Sequence, residues 1–247
     1  MKTSGNTILV TGGGSGIGEA LAHRLHDAGN HVIVAGRRRE ALEQAIAGRE
    51  RMSAMELDVE SPRAIHDFAT RLIGDHPALN VLVNNAGVMR YEDLTTARNL
   101  DDAEATIVTN LLGPIRLIDA LIDHLKAQPD AAIVNTTSGL AFVPLPKAAT
   151  YSATKAAMHS YTVSLRARLE GQVEVIELAP PAVQTDLTPG QATREGYMPL
   201  NDYIEEVMAL FGQQPTPSEI LVERVKFLRN AEANGQFAQA LGGLNAL

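Results

Sequence analysis

The chain has no cysteine and no tryptophan, and aromatic residues make up only 4% of its 247 residues. Without cysteine it can form neither disulfides nor a thiolate nucleophile. Its apolar runs are short and interrupted, so we expect no membrane span and no membrane partner. The first residues lead into a strand pattern without the apolar core of a signal peptide. These absences predict a cytoplasmic protein.

Positive charge is also scarce, because the formal net charge is −8. Non-specific nucleic-acid binding needs a basic face, so we expect no nucleic-acid partner. The seven histidines are scattered, which predicts that there is no metal site. The chain is instead 45% hydrophobic, and its length suits a single domain, residues 1–247, with a substantial core.

Apolar runs typical of buried strands alternate with helical patterns along the chain. We predict strands at residues 7–11, 31–35, 54–58, 79–83, 131–136 and 173–178. We also predict a long helix at 110–127, a last helix at 217–233 and a mobile substrate-loop segment at 186–203. The alternation predicts an α/β fold, a doubly wound parallel sheet of six strands with helices on both faces, and it leaves a seventh strand open.

A glycine-rich turn joins the first strand to the first helix. Its spacing, Gly12-x3-Gly16-x-Gly18, lets the backbone approach a diphosphate, while the helix N-terminus supplies N–H groups and partial positive charge. The alternative is an ordinary glycine-rich turn, but the position after the first strand favours a dinucleotide. The candidate ligands in this turn are Gly12, Gly14, Ser15, Gly16, Ile17 and Gly18.

Three arginines follow the second strand and bear on which dinucleotide binds. A carboxylate at this point would hold a ribose 2′-hydroxyl, but the chain reads Ala35-Gly36-Arg37-Arg38-Arg39. Arginine suits a 2′-phosphate, through charge-assisted and often bidentate bonds. We therefore predict NADP(H) rather than NAD(H), with Arg37 and Arg38 as ligands and Arg37 as the first choice. We expect Arg39 to be solvated.

Tyr151 and Lys155 are the candidates for proton transfer. They are four residues apart at the start of a predicted helix, so they share one face. A lysine there lowers the pKa of the tyrosine by favouring the phenolate, and such a tyrosine can exchange a proton with a substrate oxygen. Ser138, at the end of the fifth strand, can offer its hydroxyl to the same oxygen. A packed ring beside a solvated amine is the alternative interpretation.

Several motifs follow one another in order along the chain. They are Thr11-Gly-Gly-Gly-Ser-Gly-Ile-Gly18, Asn84-Asn-Ala-Gly87, Asn110, Ser138 and Tyr151-x3-Lys155. Together they resemble the short-chain dehydrogenase/reductase family in its single-domain form. The resemblance implies a Rossmann fold and hydride transfer between NAD(P) and an alcohol or carbonyl group. It therefore implies an enzyme that acts on a small-molecule carbonyl compound or alcohol, and the arginines make NADP(H) the expected cofactor.

The resemblance also implies a role for each matching residue. Tyr151 would be the general acid in reduction and the base in oxidation, Lys155 would lower its pKa and bind the nicotinamide ribose, and Ser138 would polarise the carbonyl. Asn110 would hold a water that links Lys155 to solvent. Further cofactor contacts would come from Asp58, Val59, Asn85, Ala86, Gly87, Pro181, Val183 and Thr185.

Two features depart from the family pattern. Pro180-Pro181 stands where the family often has Pro-Gly, and proline stiffens this turn. Together with residues 139–146, it resembles a subgroup that includes an oxidoreductase encoded with D-alanyl-lipoteichoic-acid genes. Residues 236–247 contain no β-branched residue, so we expect no strand there and no tetramer built on it. We expect a homodimer through helices 110–127 and 151–170. The candidates for that face, or for the core, are Ile115, Ile118, Ile122 and Leu165.

Substrates of parallel α/β sheets bind beyond the carboxyl ends of the strands. Most side chains expected there are apolar, which predicts a hydrophobic carbonyl compound or secondary alcohol, unless these side chains merely pack the loops. The candidates are Met89, Tyr91, Leu140, Phe142, Val143, Val183, Leu187 and Met198.

Two other functions stay open. One is a dinucleotide-sensing regulatory protein without turnover, although a sensor needs no proton donor. The other is a nucleotide-sugar epimerase or dehydratase, although such relatives usually have a longer C-terminal substrate region than 247 residues allow.

Overall fold

Seven parallel strands form one sheet in the computed structural model, which describes residues 1–246. They are β1 (Thr7–Thr11), β2 (His31–Gly36), β3 (Met52–Glu56), β4 (Leu79–Asn84), β5 (Ala132–Thr136), β6 (Glu174–Leu178) and β7 (Glu219–Ile220). Their order in the sheet is β3-β2-β1-β4-β5-β6-β7. The chain therefore winds outward from β1 in one direction and from β4 in the other, and the predicted doubly wound α/β fold is confirmed.

The α-helices lie on both faces of this sheet. They are α1 (Gly16–Asp27), α2 (Arg39–Ile46), α3 (Pro62–Asp75), α4 (Asp101–Ile107), α5 (Gly113–Lys126), α6 (Ala149–Arg168), α7 (Leu200–Phe211), α8 (Lys226–Arg229) and α9 (Phe237–Asn245). A π-helical turn, Val108–Leu112, joins α4 to α5.

The core has two layers, one on each face of the sheet. In β1, Ile8 and Val10 pack on the side of α1 and α7, whereas Leu9 packs on the side of α3 and α5. All three side chains are fully buried. Because the inner strands are covered on both faces, they have continuous apolar runs rather than an alternating pattern.

The strand order reverses next to β1, which pairs with β2 on one side and with β4 on the other. Ligands of open α/β sheets bind at such a point, in the crevice beyond the carboxyl ends of the strands. The glycine turn after β1 and the loop after β4 both lie at this crevice.

The carboxyl-terminal part of the chain differs from the prediction. The helix predicted at 217–233 is wrong, because this segment contains β7, a 3₁₀ turn and only the short α8. The sequence left a seventh strand open, and β7 supplies it: Ile220 pairs with Leu178 of β6 and is fully buried in the core. In the region 236–247, where we predicted no strand, the structure contains α9.

Helix α4, the π turn and α5 form one continuous helical run from Asp101 to Lys126. It begins earlier than the predicted helix. By length and composition alone, this run is apolar enough to cross a membrane. Nearly half of its apolar window is buried, however, and its Leu117, Leu121 and Leu125 pack in the core beside α3. These contacts are those of a core helix in a folded domain.

Candidate active site

The glycine turn between β1 and α1 brings main chain against main chain. Gly12 has a φ of +67°, and a Cβ there would lie 2.9 Å from the Cα of Ala86. A Cβ on Gly18 would collide with the carbonyl oxygen of Gly12 and with Nδ2 of Asn85. Glycine is therefore required at both positions if the loops after β1 and β4 are to form one floor. Such a floor fits a dinucleotide diphosphate, which needs close approach of the backbone.

The amino end of α1 faces this floor. Ser15 is the extended N-cap residue, and its hydroxyl makes no capping bond. The hydroxyl instead accepts a hydrogen bond from Nη2 of Arg38 at 3.1 Å. Across the floor, a Cβ added to Gly16 would lie 3.5 Å from the Cβ of Thr185. The N–H groups and the partial positive charge at the start of α1 favour an anion between them.

A cleft extends from the end of β2 past the glycine turn to β5. Its larger part has a volume of about 520 Å³, and the adjoining part beside β2 has about 200 Å³. Most residues predicted to bind the cofactor line it: Gly12, Gly14, Ser15, Gly16, Ile17, Arg37, Arg38, Val59, Asn85, Ala86, Gly87, Tyr151, Lys155, Pro181, Val183 and Thr185. Gly18 lies beneath the floor. Asp58 accepts a bond from the N–H of Glu60 at 3.0 Å, so its carboxylate shapes the turn that carries Val59.

The three arginines after β2 point in different directions. Arg37 donates to the carboxylate of Glu60 at 2.7 Å, whereas Arg38 donates to Ser15 in the glycine turn. Arg39 is exposed and pairs with neighbouring glutamates. The arginine directed at the glycine turn is therefore Arg38, although the sequence favoured Arg37.

Ser138, Tyr151 and Lys155 converge where the cleft reaches β5. The hydroxyl of Ser138 accepts a hydrogen bond from the N–H of Leu140 at 3.1 Å, and its interaction with the phenol of Tyr151 lowers the pKa of that phenol. Nζ of Lys155 lies 5.6 Å from the centre of the Tyr151 ring and donates to the carbonyl oxygen of Thr136 at 2.8 Å. The exposed fractions of Ser138, Tyr151 and Lys155 are 7%, 8% and 4%, so the three polar groups are largely removed from water.

Burial decides the protonation of these groups. Desolvation raises the pKa of Tyr151 to about 12, and the hydrogen bond with Ser138 only partly opposes this rise. Burial lowers the pKa of Lys155 to about 8. The sequence predicts that Lys155 brings the pKa of the tyrosine below its ordinary value, whereas in this structure the loss of water raises it. At neutral pH the phenol keeps its proton, which suits donation to a substrate oxygen.

Asn110 lies in the π turn, a distortion that is frequent at functional sites. Its Oδ1 accepts from the N–H of Val88, and its Nδ2 donates to the carbonyl oxygen of Val88, both at 2.8 Å. Nδ2 also donates to the hydroxyl of Thr154 at 3.3 Å. The side chain thus fastens the loop after β4 to α6, one residue before Lys155. Its role in holding a water stays a prediction.

A smaller cavity opens from the cleft at Ser138 and Tyr151. Its volume is about 120 Å³. Four of the predicted substrate residues line it: Met89, Tyr91, Leu140 and Leu187. This wall is mostly apolar, as the sequence predicts.

The other predicted substrate residues lie elsewhere. Val143 and Met198 are buried in the core, and Val183 lines the dinucleotide cleft. Phe142 packs between His159 and Arg229, with its ring centre 5.0 Å from the histidine ring and 4.8 Å from the guanidinium. The loop after β5 turns Phe142 and Val143 toward the carboxyl-terminal helices, which the sequence pattern does not indicate.

The carboxyl-terminal helices supply lining residues that sequence reasoning missed. Leu228 of α8 and Leu244 of α9 line the small cavity, and Leu244 packs in the same cluster as Tyr151. No local signal marks these leucines, because their partners lie far away in the chain. Further lining residues that were missed are Leu145, Lys147, Ala182, Gln191 and Tyr197.

Gln191 organises the segment at 186–203 that the sequence predicts to be mobile. Its Nε2 donates to the carbonyl oxygen of Val183 at 2.8 Å and to the hydroxyl of Thr185 at 3.2 Å. Its Oε1 accepts from the hydroxyl of Thr188 at 2.8 Å. The segment therefore has an internal framework, and its mobility stays a prediction.

One histidine lies among carboxylates outside the cleft. Ligand atoms of His159, Glu177 and Glu219 all lie within 4.8 Å of one another. Protein donors already bond these carboxylates. Glu177 accepts from Thr137 at 2.6 Å and from His159 at 2.8 Å, and Glu219 accepts two bonds from Arg229. We therefore interpret the group as a hydrogen-bonded ion-pair network.

Comparisons with known proteins agree with this geometry. The short chain dehydrogenase family matches residues 6–196. An uncharacterized oxidoreductase, DltE of Bacillus subtilis (strain 168), is 40% identical over 240 residues, which cover 94% of this chain and 93% of that protein. A short chain dehydrogenase from Burkholderia cenocepacia J2315, solved in complex with NADP, has a TM-score of 0.82 at 26% identity and covers 97% of this chain and 98% of that one.

A second solved structure shows the same fold. It is a short chain dehydrogenase/reductase from Burkholderia phymatum in complex with NAD, with a TM-score of 0.81 at 20% identity, covering 96% of both chains. The two solved structures hold different dinucleotides, NADP in the first and NAD in the second.

Proposed function

Because the chain belongs to the short-chain dehydrogenase/reductase family, we propose that it is an NADP(H)-dependent oxidoreductase that transfers hydride between the nicotinamide and a carbonyl group or secondary alcohol. The predicted family and its subgroup are confirmed by the match to the DltE oxidoreductase. One observation carries the proposal. Ser138, Tyr151 and Lys155 meet at the junction between a cleft of dinucleotide size and a smaller apolar cavity.

The chain's own residues account for the movement of the proton. When bound, the dinucleotide supplies or accepts the hydride. In reduction, Tyr151 donates its proton to the carbonyl oxygen, since its raised pKa keeps it protonated at neutral pH. Ser138 polarises the same oxygen through its hydroxyl. Lys155, charged below its pKa of about 8, stabilises the phenolate that remains. In oxidation, this phenolate accepts the proton of the alcohol.

The preference for NADP(H) rests on the residues after β2. Arg38 lies at the glycine turn, bonded to Ser15, and its guanidinium suits a 2′-phosphate. Arg37 also lines the cleft but is held by Glu60, so it would join only after leaving that carboxylate. We propose Arg38 as the main phosphate ligand and Arg37 as a secondary one.

We also propose that the chain forms a homodimer. Of the residues predicted for the helix face, Ile118 is buried and Leu165 packs against the core. The large apolar side chains exposed on the helical run Asp101–Lys126 and on α6 are Ile107, Leu112 and Val163. Covering them with a second copy would remove apolar surface from water, which favours association.

Replacing Tyr151 by phenylalanine tests the proposed chemistry. We expect Tyr151→Phe to lower kcat for NADPH-driven reduction by about 10²–10⁴-fold, because the proton donor is lost, and to leave the Kd for NADPH unchanged. Turnover would be measured as NADPH consumption with a panel of aldehydes, ketones and quinones. Binding would be measured by titration of the dinucleotide.

Tyr161→Phe is the matched control. Tyr161 lies on the same helix but packs against the core, so its variant should keep wild-type turnover. Retained turnover in Tyr151→Phe would contradict the assignment of the proton donor. Tight NADPH binding by the wild type without turnover of any compound in the panel would favour a dinucleotide-sensing regulator instead.

A further inference from the structure

The chain's own carboxyl-terminal helices close one side of the substrate cavity. Helix α8 packs directly on the loop after β5, since a Cβ added at Gly139 would lie 2.8 Å from Cδ1 of Leu228. Leu244 of α9 packs in the cluster of Tyr151 and also in the cluster of Val143. The wall beside the proton donor is therefore made partly of residues from the last helix.

Several polar side chains of this wall contact other parts of the protein. Gln191 bonds to partners within its own segment. The hydroxyl of Tyr91 lies 3.4 Å from that of Thr188, and Nζ of Lys147 lies 5.2 Å from the centre of the Tyr91 ring. A substrate chain in the cavity therefore meets a largely apolar wall, while its oxygen meets the two catalytic hydroxyls.

The size of the cavity restricts what this wall can accept. Its volume is about 120 Å³. Sites for drug-sized ligands occupy about 300–1,000 Å³. The space beside Ser138 and Tyr151 thus suits a short chain, and a longer one would meet Leu228 and Leu244.

We propose that Leu244, together with Leu228, limits the substrate to short aliphatic aldehydes and ketones and so sets the chain-length specificity of the enzyme. This inference rests on the proposed oxidoreductase function. Both leucines act through shape alone. In an apolar pocket one methylene changes kcat/KM by about tenfold or more, so a wall of two leucines is enough to select among homologous substrates.

Leu244→Ala tests this inference with straight-chain aldehydes from propanal to decanal and NADPH. We expect the wild type to prefer the short members. The variant should raise the ratio of kcat/KM for octanal to that for butanal by about tenfold or more, because the longer chain gains the vacated space. Leu241→Ala is the matched control, since Leu241 lies on the same helix and packs in the Val143 cluster. It should leave the ratio unchanged.

Two further measurements separate this inference from folding and from the proposed function. Leu244→Phe should shift the preference toward shorter aldehydes, and thermal unfolding checks that each variant folds. Straight-chain carboxamides resemble the aldehydes but are not reduced. Calorimetry with the protein loaded with NADP⁺ would give their Kd as a function of chain length, without turnover. Equal chain-length profiles for Leu244→Ala and Leu241→Ala would overturn the inference. Amide binding that shifts in Leu244→Ala, with no aldehyde turned over by the wild type, would show that Leu244 limits the length of the bound chain and would count against the oxidoreductase proposal alone.

Discussion

The dinucleotide cleft and the substrate cavity meet at Ser138 and Tyr151, yet main chain shapes the floor of the first and side chains shape the wall of the second. The floor of the cleft is formed where main chain meets main chain, at the glycine turn and the loop after β4. The cavity is formed by side chains from the loops after β4, β5 and β6 and from α8 and α9. A main-chain wall cannot be altered by exchanging one apolar residue for another, whereas a side-chain wall can.

This difference separates affinity for the cofactor from choice of substrate. A Cβ on Gly18 would collide with the backbone of Gly12, so a small change there would disturb every ligand of the cleft. Leu244 is only partly buried, so its exchange would reshape one side of the cavity. The cleft should therefore tolerate few substitutions, and the cavity wall many. The predictions below test this contrast from the cofactor side, where the largest effects are expected.

Gly18→Ala should have the largest effect. The added methyl group would force apart Gly12 and Asn85, and overpacking of this kind costs about 1–3 kcal/mol of stability. Since the displaced atoms form the floor of the cleft, we also expect the Kd for NADPH to rise by about 100-fold or more. Thermal unfolding and dinucleotide titration would measure the two effects.

Gly74→Ala is the control for this change. No atom of residues 1–246 lies within 4 Å of a Cβ at Gly74, which is in α3, so alanine there should be neutral or should stabilise the protein by about 0.5–1 kcal/mol. If Gly18→Ala bound NADPH as tightly as Gly74→Ala, the cleft would be as adaptable as the cavity, and the contrast would be lost.

The two regions also differ in how much of them the sequence could predict. The glycine turn and the Tyr151–Lys155 pair could be predicted, because their spacing lies within one turn and one helix. The contact of Leu244 with Tyr151 could not, because the packing of α9 on a distant loop decides it. Likewise β7 has only two residues, too few for any strand pattern, and its pairing with β6 places Ile220 in the core.

Arg38→Ala should have an intermediate effect, confined to one dinucleotide. Loss of a hydrogen-bonding charge at a phosphate costs about 1.5–3 kcal/mol, so the Kd for NADPH should rise by about 10–100-fold while the Kd for NADH stays unchanged. Arg37→Ala should do less, because Glu60 already holds Arg37. Arg39→Ala is the exposed control and should change neither constant. A larger loss in Arg37→Ala than in Arg38→Ala would show that the cofactor draws Arg37 away from Glu60.

The protonation of Tyr151 shows where local spacing is not enough. The sequence places Lys155 on the same helix face and so predicts a lowered pKa for Tyr151. Tyr151 is only 8% exposed, however, and this burial raises its pKa. A site residue could thus be identified from the sequence, whereas its electrostatics required knowledge of what surrounds it.

Glu92 connects the loop after β4 to α6. It is on the loop after β4, and its carboxylate accepts bonds from the N–H of Thr150 at 2.7 Å, the hydroxyl of Thr150 at 2.6 Å and Arg98 at 2.7 Å. Burial opposes ionisation, but the bonds from Thr150 and Arg98 outweigh it, so the pKa of Glu92 lies below its ordinary value of 4.5. Because Thr150 precedes Tyr151, the carboxylate caps the helix that carries the proton donor.

Glu92→Gln should have the smallest effect, a few-fold loss of kcat and a loss of about 1–2 kcal/mol in the free energy of unfolding near neutral pH. A lowered folded pKa means that the carboxylate stabilises the fold above its unfolded pKa and loses this contribution as the pH falls through the folded value. The stability difference between wild type and Glu92→Gln, measured by urea unfolding, should therefore shrink below the ordinary value of 4.5. Glu50→Gln, an exposed control, should show no difference at any pH.

Affinity for NADPH should stay unchanged in Glu92→Gln, because its carboxylate holds α6 and not the glycine turn. A loss of affinity as large as that in Arg38→Ala would instead mean that the contact between the loop after β4 and α6 also supports dinucleotide binding. The cleft and the cavity would then depend on the same contact, and the contrast between them would not hold at α6.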